Sequence, residues 1–275
     1  SGLTTFRGQG GLWEGHALQD VATPQAWDKD PHLVWRFYTE RRRTLMACDP
    51  NPAHLALARL ESELEGHLCQ EHEVERTRDR RPPKDEEILE QDMLEAEVII
   101  VTQNVDDLHE RAGSTHVIHL HGELGVLHQN GMPQRAWWTL EEEDLQEDKM
   151  PYVDDEGGIA HAAPKDLEFS RALRPSVVWF GEDVPLYGLA ARLVDHADAL
   201  WVIGTSAVVM PANLLPVLAM MRGIPRVWMN IEPPEMGEAH LYDEVIIGKA
   251  GETVPEYIES FLTHSSSSSD EPTLS

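Results

Sequence analysis

The chain has 275 residues and a formal charge of −27, from 22 Lys+Arg against 49 Asp+Glu. At 41% hydrophobic residues a wholly disordered chain is excluded; no run of about 18 apolar residues offers a membrane-spanning helix, and the acidic balance argues against nucleic-acid binding, where phosphate contacts need Lys and Arg. Cys48 and Cys69 are the only cysteines, which rules out a disulfide framework or a four-cysteine zinc site and favours a reducing, intracellular compartment.

At about 150 residues per domain, the length predicts one to two domains with a sizeable core. Asp30-Pro31 signals a helix start, an N-cap acid followed by Pro at the first helical position, and the helix continues through Leu33, Trp35, Phe37, Tyr38 and Arg41. Asn51-Pro52 repeats the signal for a second helix carrying Leu55, Leu57, Leu60 and Leu64. A charged third helix is expected at 85–95. Two acidic runs, 61–97 and 141–156, read as solvated faces or loops.

Short apolar runs follow at 98–102 (VIIVT), 116–120, 177–180 (VVWF), 200–203 (LWVI), 227–229 and 245–247. Several are β-branched with little alternation, as in a sheet buried on both faces. Helix-length segments at 105–112, 186–196 and 211–222 lie between them, the first and last stopped by Gly113 and Gly223. Strand and helix in alternation predict a parallel, Rossmann-like α/β sheet with right-handed crossovers, in which ligands bind at the carboxyl ends of the strands. The tail at 265–275 is low-complexity and expected to be disordered.

Those strand ends carry small or amide residues: Gln103-Asn104-Val105-Asp106, Gly204-Thr205-Ser206, Asn230-Ile231-Glu232 and Gly248-Lys249-Ala250-Gly251. Gly-Thr-Ser opening a helix suits phosphate or ribose oxygens, and an acid such as Glu232 past a strand can accept hydrogen bonds from ribose hydroxyls. Any one of these alone is an ordinary turn; four in register weigh more. His119-Leu120-His121-Gly122-Glu123 adds an imidazole suited to proton transfer near neutrality, although a lone His is more often structural, and the residues alone leave that choice open.

Together these pieces resemble the sirtuins, NAD-dependent protein-lysine deacylases. The motifs are SGLTTFRG (1–8), TQNVDDLHERAG (102–113), HLHGEL (119–124), RPSVVWFGE (174–182), GTSAVVMPA (204–212) and NIE (230–232). The stretches GQGGLWEGHALQDVATPQAW and DPHLVWRFYTERRR resemble the branch that removes succinyl, malonyl and glutaryl groups. The resemblance implies a catalytic base at His121 and NAD held by Phe6, Arg7, Gln103, Asn104, Asp106, Gly204, Thr205, Ser206, Asn230, Glu232 and Ala250. It also implies an acyl-lysine tunnel lined by Val178, Trp179, Phe180, Gly181 and Glu182, an acyl carboxylate held by Tyr38 and Arg41, and room for the chain beside Ala17. Spacing i, i+3 puts Tyr38 and Arg41 on one helix face, and a guanidinium offers paired donors to a carboxylate. In the implied reaction nicotinamide leaves the ribose, His121 deprotonates a ribose hydroxyl, and the products are free lysine, nicotinamide and acyl-ADP-ribose. The partners implied are acyl-lysine proteins or peptides, with no nucleic acid and no membrane, and the chain is expected to be a monomer.

The implied organisation is an NAD-binding domain at 1–121 and 174–264 with a helical insert at about 28–66, and a smaller inserted domain at 122–173. The sequence departs from the family in two places. Of the family's opening strand and Gly-Ala-Gly-x-Ser loop only Ser1-Gly2 stands, so the first strand is expected to be missing, the chain to be a piece of a longer protein, and NAD affinity to suffer. The 122–173 segment lacks the four zinc cysteines, so no zinc is expected. These departures raise an alternative, a degenerate sirtuin that binds acyl-lysine or ADP-ribose without turnover.

Overall fold

In a computed structural model of the chain, residues 12–13, 16–65, 86–129, 137–139, 150–153, 159–160 and 172–267 are described. An antiparallel pair, β1 (Leu12–Trp13) and β2 (His16–Ala17), leads into helices α1 (Leu18–Val21), α2 (Pro24–Lys29), α3 (Pro31–Met46) and α4 (Pro52–Leu64). Each of the last three starts on a capping side chain followed by Pro. Thr23 accepts the Ala26 N–H, Asp30 accepts the Leu33 N–H at 3.0 Å, and Asn51 accepts those of Ala53 and His54. The Asn51 cap is reciprocal, because the His54 Nδ1 accepts the Asn51 N–H at 3.1 Å.

After α5 (Glu86–Leu94) the chain runs through β3 (Ile100–Thr102), α6 (Leu108–Ala112) and β4 (Val117–His119). Next come β5 (Gly122–Gln129), β6 (Trp137–Thr139), β7 (Tyr152–Val153), β8 (Ile159–Ala160) and β9 (Leu173–Val177). The last stretch holds α7 (Tyr187–Val194), β10 (Leu200–Ile203), α8 (Leu215–Arg222), β11 (Arg226–Asn230), β12 (Glu244–Ile247) and α9 (Ala250–Ser267).

The parallel pairing is present as expected. Strands β3 and β4 pair in parallel from Ile100↔Val117 to Thr102↔His119, and β10, β11 and β12 form a second parallel sheet. Among the described residues no ladder joins the two. Helices α4 and α9 pack Leu57, Leu60, Val254 and Ile258 against Ile100, Val227 and Met229. Helices α7 and α8 pack Leu189, Leu193, Leu215 and Ala219 with Ile118 and Leu120. Thus helices cover the β3–β4 region in two separate apolar clusters, as a doubly wound sheet requires.

Several expectations need correction. The strand read at 177–180 ends at Val177 and is antiparallel to β5, with Gly122↔Val177 and Gln129↔Leu173 as outer pairs. Its continuation leaves the ladder because its amide donors go elsewhere: Val178 to the His121 carbonyl, Trp179 to the Glu182 carboxylate and Phe180 to the Ala22 carbonyl. The helix expected at 105–112 begins at Leu108, since the Asp106 carboxylate takes the Leu108 N–H and holds 103–107 as a turn. Gly204-Thr205-Ser206 does not open a helix. The Thr205 hydroxyl accepts the Ala207 N–H, Ala207 sits at φ +53°, and helical turns begin only at Ala212. Helix α9 was not foreseen and extends to Ser267, three residues into the tail read as disordered. Val254 and Ile258, four residues apart and fully buried, hold it down, each contributing about 2 kcal/mol of apolar burial.

Candidate active site at the strand tips

The carboxyl ends of β3, β10 and β11 meet at Thr205. The Gln103 side-chain amide donates to the Thr205 hydroxyl at 3.3 Å, and the Asn230 side-chain amide donates to the Thr205 carbonyl at 2.6 Å. The Gly248 N–H donates to the Asn230 carbonyl, which ties in the end of β12. Thus Gln103, Thr205 and Asn230, separated by up to 127 positions in sequence, sit in one place, with Gly204 and Ser206 exposed beside them. Gly204 holds φ +62°, and a Cβ there would meet nothing within 4 Å, so the backbone faces open space. Glu232 is exposed two residues past Asn230, its carbonyl accepting the Trp228 indole N–H at 2.9 Å. Ala250 is half-buried at the first position of α9, against the cluster formed by α4 and β11. Phe6 and Arg7 lie outside the described residues.

His121 stands at the same end. Its Nδ1 lies 3.1 Å from the Gln103 carbonyl oxygen. A carbonyl can only accept, so Nδ1 carries the proton and Nε2 carries the lone pair. Burial lowers its pKa against the Gln103 hydrogen bond, so the ring is neutral and basic at pH 7. Asn104 is exposed on the adjoining turn, whereas Asp106 is buried and its carboxyl is raised by burial, with the Leu108 N–H and His119 pulling the other way.

The remaining sequence-predicted residues follow on the 178–182 turn and on α3. The hydrogen bond from Val178 N–H to the His121 carbonyl fixes the 178–182 turn next to the base at 2.9 Å. Phe180 and Gly181 are exposed, the latter at φ +91°. Trp179 is buried; its indole N–H donates to the Tyr38 hydroxyl at 3.0 Å. Arg174 lies over the Trp179 ring, 3.3 Å from its centroid, and forms a two-pronged pair with Glu182 at 2.6 and 2.9 Å. Tyr38 and Arg41 share the buried face of α3. Burial pushes the Tyr38 phenol far above its ordinary range, against the Trp179 hydrogen bond and the charges of Arg41 and Arg174, so it stays a proton donor. Among the described residues the charged groups that act on the Tyr38 phenol include Arg41, Arg174 and Glu182, and the buried Arg42 guanidinium interacts with it as well. Ala17 is half-buried at the end of β2 and caps α1.

Sequence reasoning missed Arg174 as the partner of Glu182 and of the Trp179 ring. Its signal was the Arg-Pro that opens the RPSVVWFGE stretch. Four thiolates for zinc have no donor set in residues 122–173, which hold no cysteine. The metal-capable groups among the described residues, Glu61/Glu65/His116 and Glu110/His119/Glu123, are carboxylate and imidazole clusters. The first is satisfied internally: Glu61 accepts the Thr115 and His116 N–H groups and the His116 Nδ1 at 2.9 Å.

Fold and site define an α/β protein whose parallel strand tips gather Gln103, Thr205 and Asn230 in one place, with the His121 imidazole bonded to the same turn. A model of the Sir2 family matches residues 1–76 and 83–211, and the chain belongs to that family. It is 36% identical over 260 residues to an NAD-dependent protein deacylase of Thermococcus kodakarensis, covering 94% of this chain and 84% of that protein. A Sir2 homologue solved with NAD superposes with a TM-score of 0.69 at 33% identity, covering 96% of this chain and 85% of the other. Sir2Af2 bound to a myristoylated histone peptide superposes at 0.61 and 29% identity, covering 90% and 87%.

Proposed function

We propose that the chain is an NAD-dependent protein-lysine deacylase that prefers succinyl, malonyl or glutaryl groups. The deacylase reading is supported by the family and by the chemistry of His121, a neutral imidazole whose Nε2 lone pair stands at the strand-tip crevice. NAD would lie across the strand tips, its ribose and phosphates against Gly204, Thr205, Ser206, Asn230 and Glu232 and its nicotinamide near Asn104 and Asp106. His121 would take a proton from a ribose hydroxyl, a step worth about 10²–10⁴-fold in rate. The acyl-lysine peptide would run along the 178–182 turn, adding its backbone as a strand.

The observation that carries the acyl preference is the buried face of α3, where the Tyr38 hydroxyl takes the Trp179 indole N–H and Arg41 follows one turn on. There the protonated Tyr38 phenol and the Arg41 guanidinium lie on one face of α3, a hydrogen-bond donor and a paired donor that suit an acyl group ending in a carboxylate, whereas an acetyl group offers neither of them a charge. The test is mass spectrometry of one peptide carrying succinyl-, malonyl-, glutaryl- or acetyl-lysine, incubated with NAD. Loss of the acid-bearing acyl group, with acyl-ADP-ribose formed, is the expected result. Peptide or ADP-ribose binding by calorimetry without turnover would replace this reading with that of a binding module.

A further inference from the structure

His119 and His121 lie two residues apart, and their rings do opposite things. The Nδ1 of His119 is 3.3 Å from the Asn104 carbonyl oxygen, and that of His121 is 3.1 Å from the Gln103 carbonyl oxygen. Neighbouring imidazoles therefore grip consecutive carbonyls of one turn. They part at Nε2. That of His119 is 2.7 Å from a Glu110 carboxylate oxygen on α6, so it too must donate. An imidazole that donates from both nitrogens is an imidazolium.

The charge is well surrounded. Glu110 and His109 face His119 from α6, Glu123 from β5, and Asp106 from the turn. His109 is no competitor, because burial pushes it down to about 4 and it stays neutral. Burial opposes charging His119 as well, but the Glu110 hydrogen bond, the Glu123 and Glu110 charges and the Asn104 carbonyl overcome it and raise the ring to about 9. The cation's contribution is complete below the unfolded value of about 6.5 and is lost as pH rises through about 9.

We propose that His119 is a positioning residue: a doubly donating imidazolium that pins the Asn104 carbonyl to Glu110 and so sets the 103–106 turn in the shape that receives the nicotinamide end of NAD. Asn104 and Asp106 hang from that turn, so losing the clamp weakens cosubstrate binding more than it weakens the chemistry at His121. The proposal rests on the deacylase reading above for its substrate but not for its geometry.

Two measurements on the whole chain test it. In NAD-free protein, the His119 ring is titrated by NMR and amide exchange is followed at 103–106. The ring should titrate near pH 9, and Glu110→Gln should lower that value by at least about one unit and speed exchange in the turn. In turnover assays, His119→Gln should raise KM for NAD about tenfold with kcat falling less than about threefold. Glu110→Gln should move the alkaline limb of kcat/KM for NAD to lower pH, a shift that a purely structural role would not produce. Titration of His119 near 6.5, or an alkaline limb shared by wild type and Glu110→Gln, overturns the proposal. A wild type that shows no NAD-dependent turnover sinks the functional reading instead, while the NMR titration and exchange still decide the clamp. If His119→Gln fails to fold, the Glu110→Gln variant carries the test.

Discussion

The strand tips and the surroundings of Tyr38 are both tied to the 178–182 turn, through the Val178 N–H and the Trp179 indole, and are built in contrasting ways. The strand tips are open: Gly204, Ser206 and Glu232 are exposed, beside a Thr205 that takes side-chain amide hydrogen bonds from Gln103 and Asn230. The surroundings of Tyr38 are closed and made of large side chains, Trp27, Tyr38 and Trp179, with the guanidiniums of Arg41, Arg42 and Arg174 buried near them. The contrast separates tasks. On the proposed reading the exposed strand tips serve the cofactor, while the buried guanidiniums, costly to bury unless paired, serve the acyl group.

The comparison breaks hardest at His121. His121→Ala should cost about 10²–10⁴-fold in turnover of every acyl-lysine peptide alike, measured as nicotinamide release, because it removes the base and leaves Tyr38 and Arg41 in place. A smaller break lies at the joint. Gly122 holds φ +75°, and a Cβ there would stand 1.9 Å from the Ser176 carbonyl oxygen. Gly122→Ala should therefore cost about 3 kcal/mol in chemical denaturation, forcing β5 and β9 apart just after the base. A gentler test is acid. Burial pushes His54 and His109, packed edge-on at 4.6 Å behind the crevice, down to about 4 each. The unfolded chain takes up these protons near 6.5 and the folded chain waits until about 4, so stability should fall as pH drops through that window. Thermal midpoints across it should decline less steeply in His109→Gln, and equal slopes would show that the pair plays no part.

The crevice was legible in the sequence because each of its residues is announced locally. A β-branched run ending in Gln103-Asn104, a Gly-Thr-Ser and an Asn-Ile-Glu are turn chemistry, readable one strand end at a time. The caps at Asp30 and Asn51 were legible for the same reason. What followed from tertiary pairing was not. The amides of 178–180 look like strand and are spent on His121, Glu182 and Ala22. The Arg174–Glu182 pair depends on a turn at Gly181 that returns one residue to the other. Helix α9 follows β12 after only two residues, and its buried Val254 and Ile258 stand among polar neighbours with a Pro255 between them, which blurs the helical pattern. The charge states of His119 and His121 could not be told apart either, since their difference comes from Glu110 on another helix.

On the proposed reading, Tyr38 and Arg41 select the acyl group while His121 serves the reaction. The most direct measurement is kcat/KM for succinyl-lysine against acetyl-lysine in one peptide, for wild type and Arg41→Met. The account predicts that wild type favours succinyl and that the substitution cuts this preference on the order of 10–100-fold, the worth of a charged hydrogen bond, with acetyl turnover nearly unchanged. A wild type that favours acetyl, or a variant in which both activities fall together, would contradict it.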